Sequence, residues 1–138
     1  MTIRECHSLR QEEYLPLYKS VGWTAYTDRP HILKEGFAHS LLILAAYEND
    51  RLLGLLRAVG DGYTVVFVQD ILVYPQYQRK GVGSALLQAL LRRFCHVRQI
   101  ELTTDDTPQT AAFYRANGFS EMSAAGCRGF IRYTKTSD

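Results

Sequence analysis

The chain has 138 residues, 46% of them hydrophobic, with sixteen Lys and Arg against fourteen Asp and Glu. That is enough for one packed core and too little for two ordinary ones, so a single domain over residues 1–138 is expected. A net charge of +2, with no basic run beyond Arg79-Lys80 and Arg92-Arg93, argues against nucleic acid as a partner, although a modest basic mouth suits an anionic ligand. The three cysteines, Cys6, Cys95 and Cys127, are irregularly spaced and fit neither a disulfide framework nor a zinc site. With no signal core in Met1 to Arg10 and no apolar run long enough to span a bilayer, the expected setting is cytoplasmic, without metal or membrane.

In chain order, Thr2 to Ser8 reads as a short strand. Glu12 to Val21 reads as a short helix, with Tyr14, Leu15, Leu17, Tyr18 and Val21 at mixed helical spacing and Pro16 near the first turn, where proline is tolerated. An aromatic loop, Gly22 to Asp28, follows; Trp23 and Tyr26 there either line a substrate site or merely cover the core. Pro30 to Ala38 resumes a helical pattern. Leu41 to Glu48 and Arg51 to Val59 are apolar runs joined by Asn49-Asp50, which predicts an antiparallel hairpin. Gly60-Asp61-Gly62 turns the chain into the next strand, and the three form an antiparallel meander.

Tyr63 to Val73 is rich in β-branched and aromatic residues, and Pro75 ends it near Tyr74, because proline has no N–H for a sheet ladder. Val82, Leu86, Ala89, Leu90 and Phe94 keep one helical face, so a helix starts at or just after Gly81. Between strand and helix lies Gln78-Arg79-Lys80-Gly81-Val82-Gly83-Ser84. Its glycines admit a ligand close to the backbone, and the first helical N–H groups, the helix dipole and two cations favour phosphate. An ordinary strand-to-helix connection is the plainer reading. Neither a dinucleotide fingerprint nor a P-loop is complete here. Ile100 to Thr104 is a further strand, parallel to the Tyr63 strand by a crossover. Thr107-Pro108 caps another helix, which Gly118 ends. Phe130 to Thr134 is expected to close the sheet.

Strand, proline, turn and helix together resemble the signature of the GNAT superfamily of N-acetyltransferases, Q/R-x-x-G-x-G/A entered from L-x-V-x-P. Here these read Gln78 to Gly83 and Ile71-Leu72-Val73-Tyr74-Pro75. Tyr114-Arg115-Ala116-Asn117-Gly118-Phe119 resembles the Y-x-x-x-G-F segment near the end of that domain. The resemblance covers Tyr63 to Phe119 well and the N-terminal part in order of elements only. It implies an α/β fold with a central, mostly antiparallel mixed sheet flanked by helices, whose signature strand splays from the next to admit pantetheine. It also implies acetyl-CoA as cosubstrate, with Gln78, Arg79, Lys80, Gly81, Val82, Gly83 and Ser84 holding the pyrophosphate and a backbone N–H at Leu72 or Val73 polarising the thioester. Tyr114 becomes the general acid for the departing thiolate. The family's frequent asparagine seven residues earlier is Thr107 here.

An amine of pKa about 10.4 is mostly protonated at neutral pH, which calls for a base or a water route to one. Asp70 is the first candidate, directly or through water, against the structural reading of an ion pair with an arginine. The four histidines have no metal-ligand spacing, and only His31, after the aromatic loop, is worth reconsidering. The expected function is therefore transfer of an acetyl group to a primary amine, of a small molecule rather than a protein, by a monomer or homodimer. The rivals are a noncatalytic acyl-CoA sensor and an interaction domain with no cofactor.

Overall fold

The computed structural model describes residues 1–134. They form two compact units, Met1–Thr103 and a second from Thr104 onward. The first holds a five-stranded sheet, β1 (Thr2–Glu5), β2 (Leu42–Glu48), β3 (Arg51–Gly60), β4 (Val65–Val73) and β5 (Gln99–Leu102), in spatial order β1-β2-β3-β4-β5. All neighbours are antiparallel except β4 and β5. The helices are α1 (Gln11–Ser20), α2 (Thr24–Thr27), α3 (Pro30–Ala38) and α4 (Val82–Arg93), with a 3-10 turn at Pro75–Tyr77; α5 (Pro108–Ala116) belongs to the second unit. The hairpin turns at Asn49, whose φ of 56° is one that asparagine tolerates better than most residues.

A β-bulge in β4 decides how this sheet is used. Arg57 pairs with Asp70 but Ala58 pairs with Val68, leaving Gln69 extra. Residues opposite one another share a face, so Val66 and Val68 lie with Ala58 on one side while Asp70 and Leu72 lie with Arg57 and Leu55 on the other. Without the bulge Asp70 would point to the same side as Val68. On the side of Leu72, a core of Tyr14, Leu17, Tyr18, Leu33, Phe37, Ile43 and Leu55 joins α1 and α3 to the sheet. Tyr14 stacks on Phe37 with ring centroids 4.0 Å apart. On the opposite side α4 packs over β1 to β4, burying Val82, Leu86, Leu87 and Leu90.

Three sequence expectations need correction. The aromatic segment Gly22 to Asp28 contains a single helical turn, α2, rather than a plain loop. Pro16 sits in the helix interior, on its exposed side, where it has no N–H to donate to the carbonyl of Glu12. Phe130 to Thr134 is not a strand. β-propensity expresses fit to a half-buried pleated surface, and this segment has none: Phe130, Ile131 and Tyr133 are 89%, 70% and 86% exposed.

Candidate active site

The parallel pairing of β5 with β4 covers only Val65 to Val68. From Gln69 to Val73, β4 runs on with no strand paired on that side among the described residues. Backbone direction along this stretch follows from one bond. The Tyr74 N–H donates to the Leu53 carbonyl across the β3 side, at 3.0 Å. Since N–H groups alternate sides along a strand, Leu72 also faces β3, and Val73 presents its N–H and carbonyl to the open side. The Gln78 amide donates to that carbonyl at 3.0 Å, so Gln78 ties the turn to the strand. Of the two backbone donors expected to polarise a thioester, Val73 has the open orientation.

Past the 3-10 turn, Arg79 and Gly81 are both left-handed, with φ of 63° and 84°. Holding a non-glycine residue there costs on the order of 1 kcal/mol, the kind of strain that collects at binding sites. Residues in this conformation turn successive N–H groups toward a common concavity. α4 then begins at Val82 with no side-chain cap, and Arg79 and Lys80 are exposed beside it. A Cβ added at Gly81 would meet nothing within 4 Å. The space before the turn is open, and the residues present fit a phosphate group.

Asp70 is 2% exposed and lies in a closed network. Its Oδ2 accepts from the Tyr18 hydroxyl at 2.7 Å and from Arg57 Nε at 2.8 Å, and its Oδ1 accepts from the Tyr26 hydroxyl at 2.9 Å. The structural reading of Asp70, an ion pair with an arginine, is therefore present in the fold. Burial pulls the Arg57 guanidinium down, yet the adjacent Asp70 charge raises it on balance. Burial, and then the charge of Asp70, push both Tyr18 and Tyr26 above the ordinary phenol range, so both remain protonated donors. Tyr26 is only half buried, and its oxygen also accepts from Gln69 at 3.1 Å. Trp23 packs edge-on against Tyr18, with centroids 5.9 Å apart. His31 lies on the exposed side of α3. Arg57 was missed by sequence reasoning, although the signal existed: a single charge inside the apolar run Leu52 to Val59 must be paired if that run is buried.

In the second unit, Thr107 caps α5 by accepting from the Thr110 N–H at 3.2 Å. The helix closes with Phe119 N–H donating to the Tyr114 carbonyl and Gly118 N–H to the Arg115 carbonyl, with Gly118 at φ 89°. This is the paired-bond glycine terminator. It fixes Phe119 edge-on to Tyr114, 6.0 Å between centroids. Burial raises the Tyr114 phenol, a hydrogen bond with Thr104 lowers it and the charge of Asp105 raises it, for a net upward displacement. Among the described residues no three His, Cys, Asp or Glu side chains are grouped to hold a metal ion, and no helix is long and apolar enough to cross a membrane.

A model described as the Acetyltransferase (GNAT) family matches residues 3–119. The solved GNAT family acetyltransferase of Streptococcus pneumoniae TIGR4 has a TM-score of 0.87 at 39% identity, the match covering 98% of each chain. AAC(6')-Iy, solved with the bisubstrate analogue CoA-S-monomethyl-acetylneamine, shares the fold at a TM-score of 0.73 and 23% identity, over 99% of this chain and 98% of that one. The histone acetyltransferase TAP1 of Glycine max is 35% identical over 86 residues, 62% of this chain and 37% of the relative. An uncharacterized ycf52-like N-acetyltransferase of Prochlorococcus marinus is 29% identical over 110 residues, 75% of this chain and 59% of the relative. The chain therefore spans 37% and 59% of the lengths of these two curated relatives, less than two thirds of either. With its matched segment running from β1 through the signature turn to the Phe119 that closes α5, the chain belongs to the GNAT family of acetyltransferases.

Proposed function

We propose that this protein transfers the acetyl group of acetyl-CoA to the primary amine of a small molecule, by direct attack in a ternary complex. The observation that carries the reading is the unpaired edge of β4 from Gln69 to Val73, leading straight into the uncapped, left-handed turn before α4. On this reading Gln78 to Ser84 hold the pyrophosphate of the cosubstrate. The Val73 N–H donates to the thioester carbonyl, which favours charge developing on oxygen without moving a side chain. The amine nitrogen bonds to the acetyl carbon, the carbon–sulfur bond breaks, the leaving thiolate takes a proton from Tyr114, and the proton lost by the nitrogen passes to water, from which the phenol is restored. A phenol raised above its usual range is still protonated at neutral pH, which suits it to that role.

Trp23 and Tyr26 form the acceptor side. Asp70 reaches that side through the Tyr26 hydroxyl, so any part it takes in removing the amine's proton runs through that hydroxyl or a water. A small amine is the preferred acceptor because the sequence shows no acidic groove for a basic peptide. The structure of AAC(6')-Iy with a bisubstrate analogue that joins CoA to an acetylneamine supports the same class. The test is release of free CoA thiol with acetyl-CoA and a panel of small amines, amino-acid derivatives and lysine peptides. Turnover with a small amine supports the proposal. Turnover confined to peptides would overturn the acceptor class, and tight acetyl-CoA binding with no turnover would favour a sensor.

A further inference from the structure

We infer that the Arg57–Asp70 ion pair is a positioning device that fixes the Tyr26 hydroxyl as a neutral hydrogen-bond acceptor for the amine substrate; this rests on the acetyl-transfer reading above. Tyr26 stands on α2, a four-residue helix with no side-chain cap and no buried residue of its own. Its Tyr26 ring packs edge-on against Tyr18, 5.4 Å between centroids, and the hydroxyl is secured from the sheet. The hydroxyl donates to Asp70 at 2.9 Å and accepts from Gln69 at 3.1 Å, which leaves one lone pair uncommitted. Gln69 is the extra residue of the bulge, the first position of β4 after its pairing with β5 stops. The uncommitted lone pair therefore lies beside the start of the open edge, where an amine N–H approaching a thioester can donate to it.

Asp70 could hold Tyr26 alone only by remaining an unpaired charge in the core. Arg57 removes that difficulty. Its Nε donates to Asp70 Oδ2, while Nη1 reaches Ser40 Oγ at 3.3 Å and the Gly36 carbonyl at 3.4 Å, which ties the pair to the end of α3. The guanidinium packs closely on Gly36, where a Cβ would stand 3.2 Å from Nη1 and would displace it by a few tenths of an ångström. Tyr18 takes the remaining approach to Oδ2. The network is thus an electrically neutral scaffold that ends at the hydroxyl of the half-buried Tyr26, and it presents the substrate with a phenol rather than a carboxylate. Tyr26 would touch the substrate, and Arg57 and Asp70 act through it.

The test uses whichever amine the wild-type protein turns over, with the variants Tyr26→Phe, Asp70→Asn, Arg57→Lys and the double variant Tyr26→Phe/Asp70→Asn. Tyr26→Phe is expected to raise the KM for the amine about tenfold and leave the KM for acetyl-CoA within twofold. Asp70→Asn should do the same, and adding it to Tyr26→Phe should change the amine KM no further, because both act on one oxygen. Arg57→Lys keeps the charge without the fork and should raise the amine KM by a smaller factor. If Asp70→Asn fails to fold, Tyr26→Phe and Arg57→Lys carry the test. An unchanged amine KM in Tyr26→Phe, or effects of Asp70→Asn and Tyr26→Phe that multiply, would overturn the inference and leave the acetyl-transfer reading standing. A wild-type protein that turns over no amine would overturn both.

Discussion

Replacing Gly81 with alanine separates the stability of the signature turn from its binding role. The site offers no steric obstacle, since a Cβ there meets nothing within 4 Å. The difficulty is conformational: at φ 84° an L-residue with a Cβ costs about 1–2 kcal/mol. For a domain of this size that lowers Tm by roughly 3–10 °C. The consequence for binding is larger. The strain of alanine is relieved by moving φ negative, which reorients the Gly81 carbonyl that accepts from Ala85 N–H at 3.0 Å, and with it the first N–H groups of α4. Losing one charge-assisted hydrogen bond to phosphate, about 1.5–3 kcal/mol, weakens affinity roughly 10- to 100-fold. Calorimetric titration of CoA into wild type and Gly81→Ala at 25 °C, with the melting curve of each, reads both quantities. A fall in Tm accompanied by CoA affinity within threefold of wild type would refute the role given to this turn.

Asp70→Asn leaves Arg57 charged and only 6% exposed, so denaturant unfolding should show a loss of about 3–5 kcal/mol; a loss below about 1 kcal/mol would contradict the ion pair. Tyr114→Phe should lower kcat by roughly 100-fold, as removal of a general acid does, with the KM for acetyl-CoA little changed. Equal kcat for the two proteins across pH would remove Tyr114 from the chemistry. Thr107→Ala deletes the cap of α5 and should cost about 1 kcal/mol, read by chemical denaturation. Asp61 sits in the turn before β4, where bonds from the Thr64 hydroxyl and from the N–H groups of Tyr63, Val65 and Thr64 hold its carboxyl well below the usual range. A depressed carboxyl contributes stability above its unfolded pKa, about 3.9, that is lost as pH falls through the folded value. Asp61→Ala should therefore flatten the acid limb of the stability curve below about pH 4, and an unchanged limb would contradict the turn network.

The elements with local signals were legible in the sequence. Pro30 and Pro108 stand at the first position of helices that begin there, and Gly118 ends α5 as its spacing implied. Asn49-Asp50 marks the β2–β3 hairpin, and the parallel placement of β5 follows from the length of the α4 crossover. The bulge at Gln69 was not legible, because it depends on how β4 registers with β3 and not on any residue of β4 alone. With it went the face on which Asp70 lies, and hence its partners Tyr18 and Tyr26, 52 and 44 residues away. Phe130 to Thr134 misled for the opposite reason. Its residues favour a strand, but no pleated surface buries them in the described structure. The extra residue at Gln69 also places Asp70 in the core, where its Oδ1 accepts from the Tyr26 hydroxyl.

The measurement that bears most directly on the account is thermal unfolding titrated with acetyl-CoA, free CoA and ATP. A ligand of the native state at one hundred times its dissociation constant adds about 2.7 kcal/mol, a rise in Tm on the order of 5–15 °C for this chain. The account predicts that rise with both forms of CoA and not with ATP. No shift with either CoA form at millimolar concentration would contradict the assignment of the β4 edge and the Gly81 turn as an acyl-CoA cradle.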